Sequence, residues 1–238
     1  MQRIFSTGAG RGIGLELARQ YVQRGDRVLA GCRSPERASA LRALLEQHGS
    51  SLSVIPLEVT DTNSIVQAVR QAGSVVDGLD VLINNAATNP GDAQSMGPNG
   101  QPILDASQAV EILRVNSVAP VVVAQSFLAL LRRGTNPRVV NISSGAGSLT
   151  SKADGGEYSY AASKTALNMF TRVLAGNVRK EGVTAVMIGP GWVKTDMGGP
   201  NATLEPEESA RGLLAVIDGL TIGDSGRFLR YDGSETPW

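Results

Sequence analysis

The sequence predicts one α/β domain built on a doubly wound parallel sheet with helices on both faces. Three observations carry this. Short β-rich runs alternate with longer stretches whose apolar residues recur at three and four, as in Ile13, Leu17 and Tyr21 or Leu167, Phe170 and Leu174. The first β-rich run leads directly into a glycine-rich turn that opens a helical pattern. No break in composition marks a linker, so residues 1–238 read as a single domain.

Taken in order, the strand candidates are residues 3–6, 27–31, 52–57, 81–84, 138–142, 184–188 and, more weakly, 227–230. The helical patterns run over 13–24, 35–47, 62–71, 104–131, 158–181 and 206–217. Pro35 behind Ser34 reads as a first-turn proline after a cap. Gly25, Gly49 and Gly182 stand just past helix ends, where a left-handed residue is expected. The Gly- and Pro-rich loops 88–102 and 189–206 follow the carboxyl ends of strands, where open α/β sheets bind ligands.

Composition excludes several classes. Lys+Arg and Asp+Glu are each 22, so the net charge is zero and gives no electrostatic warrant for nucleic acid or an anionic membrane as partner. One cysteine, Cys32, and one histidine, His48, leave no disulfide and no Cys/His metal site. A Ser-His-Asp hydrolase would depend on His48, which reads as a helix C-terminal residue favoured by the dipole, and no G-x-S-x-G elbow occurs. The N-terminal residues contain no long apolar stretch, and residues 118–131, interrupted by Pro120, Gln125 and Ser126, are too short to span a membrane. The expected setting is cytoplasmic.

The chemistry begins at Thr7-Gly8-Ala9-Gly10-Arg11-Gly12-Ile13-Gly14. The spacing G-x-x-x-G-x-G, from Gly8, Gly12 and Gly14, replaces the commoner G-x-G-x-x-G. Between a strand and a helix N-terminus it suits a pyrophosphate, because the backbone approaches without a Cβ and free N–H groups point at the anion. The second strand runs out into Gly31-Cys32-Arg33-Ser34, and Arg33 stands where an NAD site places an acid; the first acid after it is Glu36. Arg11 and Arg33 therefore point to the 2′-phosphate of NADP, with NAD the alternative if both are solvated surface charges.

Tyr160 and Lys164, four apart, share one face of a predicted helix. A free phenol titrates near 10, and a cation about 4 Å away at an effective dielectric of about 20 contributes roughly 4 kcal/mol toward its anion. Lys164 is thus expected to bring the Tyr160 pKa down toward working pH. Tyr158 competes less well, since its i+4 neighbour is Ala162.

With these residues in place, the chain resembles the short-chain dehydrogenase/reductases. The matching segments are residues 7–14, Asn84-Asn85-Ala86, Asn116, Asn141-Ile142-Ser143-Ser144, Tyr160 to Lys164 and Pro190-Gly191, in family order over nearly the whole chain. Residues 191–199 and the ending Tyr231-Asp232-Gly233 to Pro237-Trp238 resemble more narrowly the group of sniffer-type carbonyl reductases and bacterial C-factor-like proteins. The resemblance implies a Rossmann sheet of seven parallel strands ordered 3-2-1-4-5-6-7. It implies that Tyr160 protonates the oxygen as hydride reaches the carbonyl carbon, that Lys164 binds the ribose, that Ser144 rather than Ser143 holds the substrate oxygen, and that Asn116 holds a relay water. Gly8, Arg11, Gly12, Ile13, Gly14, Arg33, Glu58, Val59, Asn84, Ala86, Pro190, Gly191, Val193 and Thr195 would contact the cofactor, and Ala146, Trp192 and Met197 the substrate.

Three departures stand out. Glu58 occupies the place of an adenine-binding Asp. Gly189 stands where the narrower group often has His. The 16 residues from Ser144 to Tyr160 enlarge the loop 145–157. The expected function is NADPH-dependent reduction of a small aldehyde, ketone or quinone by a homodimer or homotetramer. The alternatives are a C-factor-like NAD(P)-binding regulator and an NAD-dependent alcohol dehydrogenase.

Overall fold

In the computed structural model, which describes residues 1–90, 99–100, 103–152 and 156–238, seven parallel strands lie in the order β3-β2-β1-β4-β5-β6-β7. They are β1 (Arg3–Thr7), β2 (Arg27–Cys32), β3 (Leu52–Pro56), β4 (Val81–Asn84), β5 (Arg138–Ile142), β6 (Thr184–Gly189) and β7 (Phe228–Arg230). The helices are α1 (Gly12–Gln23), α2 (Ser39–His48), α3 (Thr62–Val75), α4 (Ala106–Leu113), α5 (Ala119–Leu131), α6 (Tyr158–Val178) and α7 (Pro206–Gly219). The fold and strand order are those expected.

Successive side chains of a strand face opposite layers, and this divides the core in two. Ile4 and Val28 face α1, α2 and α7, packing with Leu17, Tyr21 and Leu213. Phe5 and Leu29 face α3, α5 and α6, packing with Ile65, Phe127 and Leu174. The Phe5 and Phe127 rings lie 4.4 Å apart and tilted by 50°. Because β1 is central, with Ser6 opposite Ala30 of β2 and Ile83 of β4, the glycine turn leaves the middle of the sheet, beside the point where strand order reverses. The far edge, β7, is covered by residues 235–238: Leu229 pairs with Glu235, and Trp238 packs on Phe228 and under Arg172.

Four local expectations are corrected. The helix expected over 35–47 divides into a 3-10 turn, Pro35–Arg37, and α2. Pro35 does open that turn, but the Ser34 side chain makes no capping bond. Gly25 (φ 91°) and Gly182 (φ 76°) are left-handed as expected, whereas Gly49 is right-handed at φ −56°. The stretch expected as one helix over 104–131 is interrupted by a π turn, Arg114–Val118, that carries Asn116. The i+4 neighbour of Asn116 is Pro120, which has no N–H to give, and the helix widens there so that the amide of Ala119 reaches the carbonyl of Arg114. Together α4, the π turn and α5 form a continuous helical run, Ala106–Leu131, that is long and apolar enough to cross a membrane by length and composition, which 118–131 alone was not. Its apolar residues serve the core: Val123, Ala124, Phe127, Leu130 and Leu131 are buried under the sheet.

At the opposite end of the sheet from the glycine turn, Asp80 joins β1 to β4 and β5. It accepts from the Arg3 amide at 2.7 Å, from the Arg3 guanidinium at 2.7 and 3.0 Å, and from the Thr135 amide at 2.6 Å. Burial alone would raise its pKa, but the Arg3 guanidinium and the two amides hold it below the usual carboxylate range. A depressed folded pKa stabilises above the unfolded value and loses that contribution as pH falls through the folded one. Asp80→Asn should therefore lower the unfolding midpoint at pH 7 by several degrees, with the difference from wild type shrinking below about pH 4; thermal melts across pH 2.5–7 check it.

Candidate active site

The glycine turn is shaped by its neighbours. Thr7 Oγ1 accepts from the amides of Asn85 (3.1 Å) and Ala86 (3.0 Å), and Asn85 Nδ2 donates back to the carbonyls of Thr7 (3.1 Å) and Gly8 (3.2 Å). A Cβ on Gly8 would lie 2.8 Å from Ala86 Cα, and one on Gly14 2.4 Å from both the Gly8 oxygen and Asn85 Nδ2. Gly8 and Gly12 have positive φ, 67° and 54°. The α1 N-terminus opens from this turn with Arg11 in the cap position and no side-chain cap. Its first amides therefore lack an intrahelical partner. A backbone held this close, with no Cβ in the way and free N–H groups, fits a pyrophosphate.

Around it the expected nucleotide contacts take different attitudes. Arg33 is exposed at the end of β2 with its guanidinium 3.8 Å from Glu58. Glu58 Oε1 accepts from the amide (3.1 Å) and hydroxyl (2.9 Å) of Thr60, so this carboxylate is folded into its own turn and not extended across the cleft. Val59 is half-buried beside it. Arg11 reaches over the turn to Asp196 at 2.7 Å, and Thr195 Cγ2 lies 3.2 Å from where a Gly12 Cβ would be, so the loop after β6 rests against the glycine turn. Asn84 is buried and donates to the Pro120 carbonyl (3.0 Å) and Asn141 Oδ1 (2.8 Å), so its Nδ2 ties β4 to β5 and α5.

Ser144 begins a 3-10 turn, Gly145–Gly147, directly after β5 and is brought onto α6 by Gly147. A Cβ at Gly147 would sit 2.8 Å from the Lys164 carbonyl carbon, so only glycine allows this approach, and Thr165 Oγ1 and Asn168 Nδ2 both donate to the Gly147 oxygen. The result sets Ser144 beside the Tyr160 phenol on one cleft wall, with Lys164 behind: Nζ is 5.7 Å from the Tyr160 ring centroid. Ser143 is structural, donating to Asn168 Oδ1 at 2.6 Å inside the core, and Tyr158 is largely exposed.

The electrostatics correct one expectation. The Tyr160 pKa is raised, not lowered: burial is the largest cause, the Ser144 hydrogen bond opposes it, and the Glu157 carboxylate adds to the rise. Lys164 does not offset this because its ammonium is buried and donates to the Ile142 carbonyl at 2.9 Å, not to the phenol. Burial also brings Lys164 itself down to about 8. Near neutral pH Tyr160 therefore keeps its proton.

Asn116 is buried in the π turn and clamps Thr88 at both ends: its Oδ1 accepts from the Thr88 amide and its Nδ2 donates to the Thr88 carbonyl, each at 2.8 Å. Its side chain is thereby occupied as a pin for the loop after β4. Ile13, Ser144, Ala146, Tyr160, Pro190, Gly191, Trp192, Val193, Thr195 and Met197 line one cleft of about 500 Å³, which also meets Asn89, Glu157 and Arg230. Trp192 and Met197 are about half exposed at its rim, and the Trp192 indole donates to the Gly198 carbonyl at 2.8 Å. Loop residues 91–98, 101–102 and 153–155, expected to shape the pocket, lie outside the described residues. Sequence reasoning missed Asn85, Gly147 and Glu157 as architects of the site, although Asn85 stands within Asn84-Asn85-Ala86 and the other two within the enlarged loop 145–157, segments already singled out.

Comparison with known proteins agrees with this geometry. The family model described as short chain dehydrogenase matches residues 2–205. The C-signal protein of Myxococcus xanthus is 44% identical over 160 residues, covering 67% of this chain and 93% of that protein. The crystal structure of NADPH-bound carbonyl reductase from chicken fatty liver superposes with a TM-score of 0.90 at 34% identity, over 100% of this chain and 99% of that one. The carbonyl reductase Sniffer of D. melanogaster gives 0.92 at 30% identity, over 100% of both. With the matched segment running from β1 into the loop ahead of α7, the chain belongs to the short-chain dehydrogenase family.

Proposed function

We propose that this chain is an NADPH-dependent carbonyl reductase acting on a small aldehyde, ketone or quinone. The observation that carries the reading is that Ser144 and Tyr160, with buried Lys164 behind the phenol ring, line one cleft that also meets Ile13 of the glycine turn. When bound, the reduced nicotinamide supplies the two electrons and the hydrogen for the carbonyl carbon. The protein's part is to hold the oxygen and move a proton. Ser144 Oγ holds the substrate oxygen where negative charge develops, and Tyr160 Oη gives it a proton. A phenol kept protonated by burial is suited to the reductive direction, which disfavours the alcohol-dehydrogenase reading. Lys164 anchors the ribose hydroxyls and carries the positive charge that receives the developing phenolate. Asn116, through Thr88, fixes the rim of the cleft, and its carbonyl, which Pro120 cannot serve at i+4, is the group that would hold a relay water.

Arg33 and Arg11 would recognise a 2′-phosphate, Arg11 by exchanging its Asp196 partner for the phosphate, a reading supported by the exposure of both guanidinium groups. The chicken and P. aeruginosa carbonyl reductases, solved with NADPH and NADP respectively, support the same cofactor. The test is oxidation of NADPH and NADH by the purified protein across aldehydes, α-diketones and quinones. NADPH should be preferred by at least about tenfold, with the preference falling in Arg33→Ala, since a charge-assisted pair is worth about 1.5–3 kcal/mol. Tighter binding of NADH would overturn the assignment of both arginines.

The likeness to the C-signal protein favours a second reading, a cofactor-binding signalling role; tight NADPH binding without turnover of any carbonyl would move weight to it. We also propose a homodimer in the cytoplasm. On α6, Met169, Phe170 and Val173 are 62%, 42% and 55% exposed, an apolar stripe that a second copy would cover. Val173→Asp is expected to give a monomer by sedimentation; an unchanged mass would remove α6 as the interface.

A further inference from the structure

We infer that Glu157 selects the substrate, so that the cleft accepts carbonyl compounds carrying a cationic or hydrogen-bond-donating substituent and turns away those carrying a carboxylate. The inference rests on the carbonyl-reductase reading and deepens it. Glu157 immediately precedes α6, where a side-chain oxygen commonly caps the free amides, yet it makes no capping bond. Its Oε2 accepts instead from Asn89 Nδ2, at 2.9 Å across the cleft. Asn89 follows Thr88, whose amide and carbonyl are both clamped by Asn116. The carboxylate is therefore set by a hydrogen-bonded chain running back to the buried π turn, and it is half-buried, unlike a solvated surface acid.

Glu157 and Asn89 line the same cleft as Ser144 and Tyr160, and the Glu157 charge is felt at the Tyr160 phenol three residues along. Among the described residues no cation pairs with it. Arg230, the other charged group among the described residues of the cleft wall, lies 3.5 Å from the Asp232 carboxylate, and Lys152, whose Nζ lies 3.1 Å from where a Gly156 Cβ would be, forms no ion pair with Glu157. A carboxylate offers about four acceptor positions, of which Asn89 fills one. A donor on the substrate can take another, and an anion there meets a like charge in a partly dehydrated space.

The experiment uses the full chain with NADPH and three aldehydes of matched size: benzaldehyde, 4-carboxybenzaldehyde and 4-(trimethylammonio)benzaldehyde. Wild type should prefer the cationic over the anionic aldehyde by about tenfold or more in kcat/KM, chiefly through KM. Glu157→Gln, which keeps an acceptor for Asn89, should bring that ratio close to one. A ratio that Glu157→Gln leaves unchanged would overturn the inference. Benzaldehyde tests the parent reading separately. If none of the three aldehydes is reduced, calorimetry with benzoate and benzyltrimethylammonium on the NADP-loaded protein reads the same preference: tighter binding of the cation, lost in Glu157→Gln, upholds it, and equal or absent binding of the two overturns it.

Discussion

Tyr160→Phe is expected to lose about three orders of magnitude in turnover while binding NADPH as tightly as wild type. The ring stays, so the packing of α6 against the Ser144 turn stays. What goes is the one hydroxyl that meets Ser144 and carries the transferable proton. General acid catalysis of this kind contributes typically about 10²–10⁴-fold. Stability should move by about 1 kcal/mol or less, the net worth of one hydrogen-bonding hydroxyl on a cleft wall. Cofactor fluorescence, a thermal melt and steady-state rates separate the three quantities. Tyr158→Phe is the control, expected to keep turnover and NADPH binding, because Tyr158 is 56% exposed and lies outside the cleft lining. Full turnover in Tyr160→Phe would remove the proton-donor assignment.

Gly14→Ala is expected to be the most damaging single methyl in the cofactor site. The added Cβ would lie 2.4 Å from the Gly8 carbonyl oxygen and 2.4 Å from Asn85 Nδ2. Neither can retreat cheaply: the first is backbone in a left-handed turn, and the second holds that turn by bonds to Thr7 and Gly8. Overpacking of this sort costs about 1–3 kcal/mol, and the turn distorts as it yields, so NADPH affinity should fall by more than tenfold as well. Gly176→Ala gives the contrast. Gly176 lies within α6 with nothing within 4 Å of its missing Cβ, and alanine there should stabilise by up to about 1 kcal/mol through helix propensity alone. Urea midpoints of the two variants should therefore move in opposite directions.

These contrasts show what was legible before any coordinates. Buried parallel strands are dense apolar runs bounded by Gly, Asp, Asn and Pro, so β4 and β5 have the bounds expected and the other strands differ by a residue at one end. Gly8, Gly12 and Gly14 were readable because a phosphate turn leaves its glycines in a short segment. The i, i+4 relation of Tyr160 to Lys164 was readable because one helix supplies both. Contacts between distant segments left no such trace. Asn85 against the glycine turn, Gly147 against Lys164 and Asn89 with Glu157 each join residues on different elements, the last pair 68 positions apart. The rise in the Tyr160 pKa was missed for a related reason. Spacing shows that a lysine is near, but not that burial dominates or that the ammonium is aimed at the Ile142 carbonyl.

The ion pair between Arg11 and Asp196 ties the glycine turn, on the β1 side of the crevice, to the loop that follows β6 on the other. Both side chains are at least three-quarters exposed, 79% and 75%. Such a pair is worth only about 0–1 kcal/mol and is screened over about 8 Å at physiological ionic strength. The crevice is thus fastened at its rim by a hasp that dissolved salt loosens, while the contact of Thr195 with Gly12 beneath it, being van der Waals in origin, is indifferent to salt. The part of the rim's cohesion that comes from this pair should therefore weaken as salt rises, even in a chain whose own charges sum to zero.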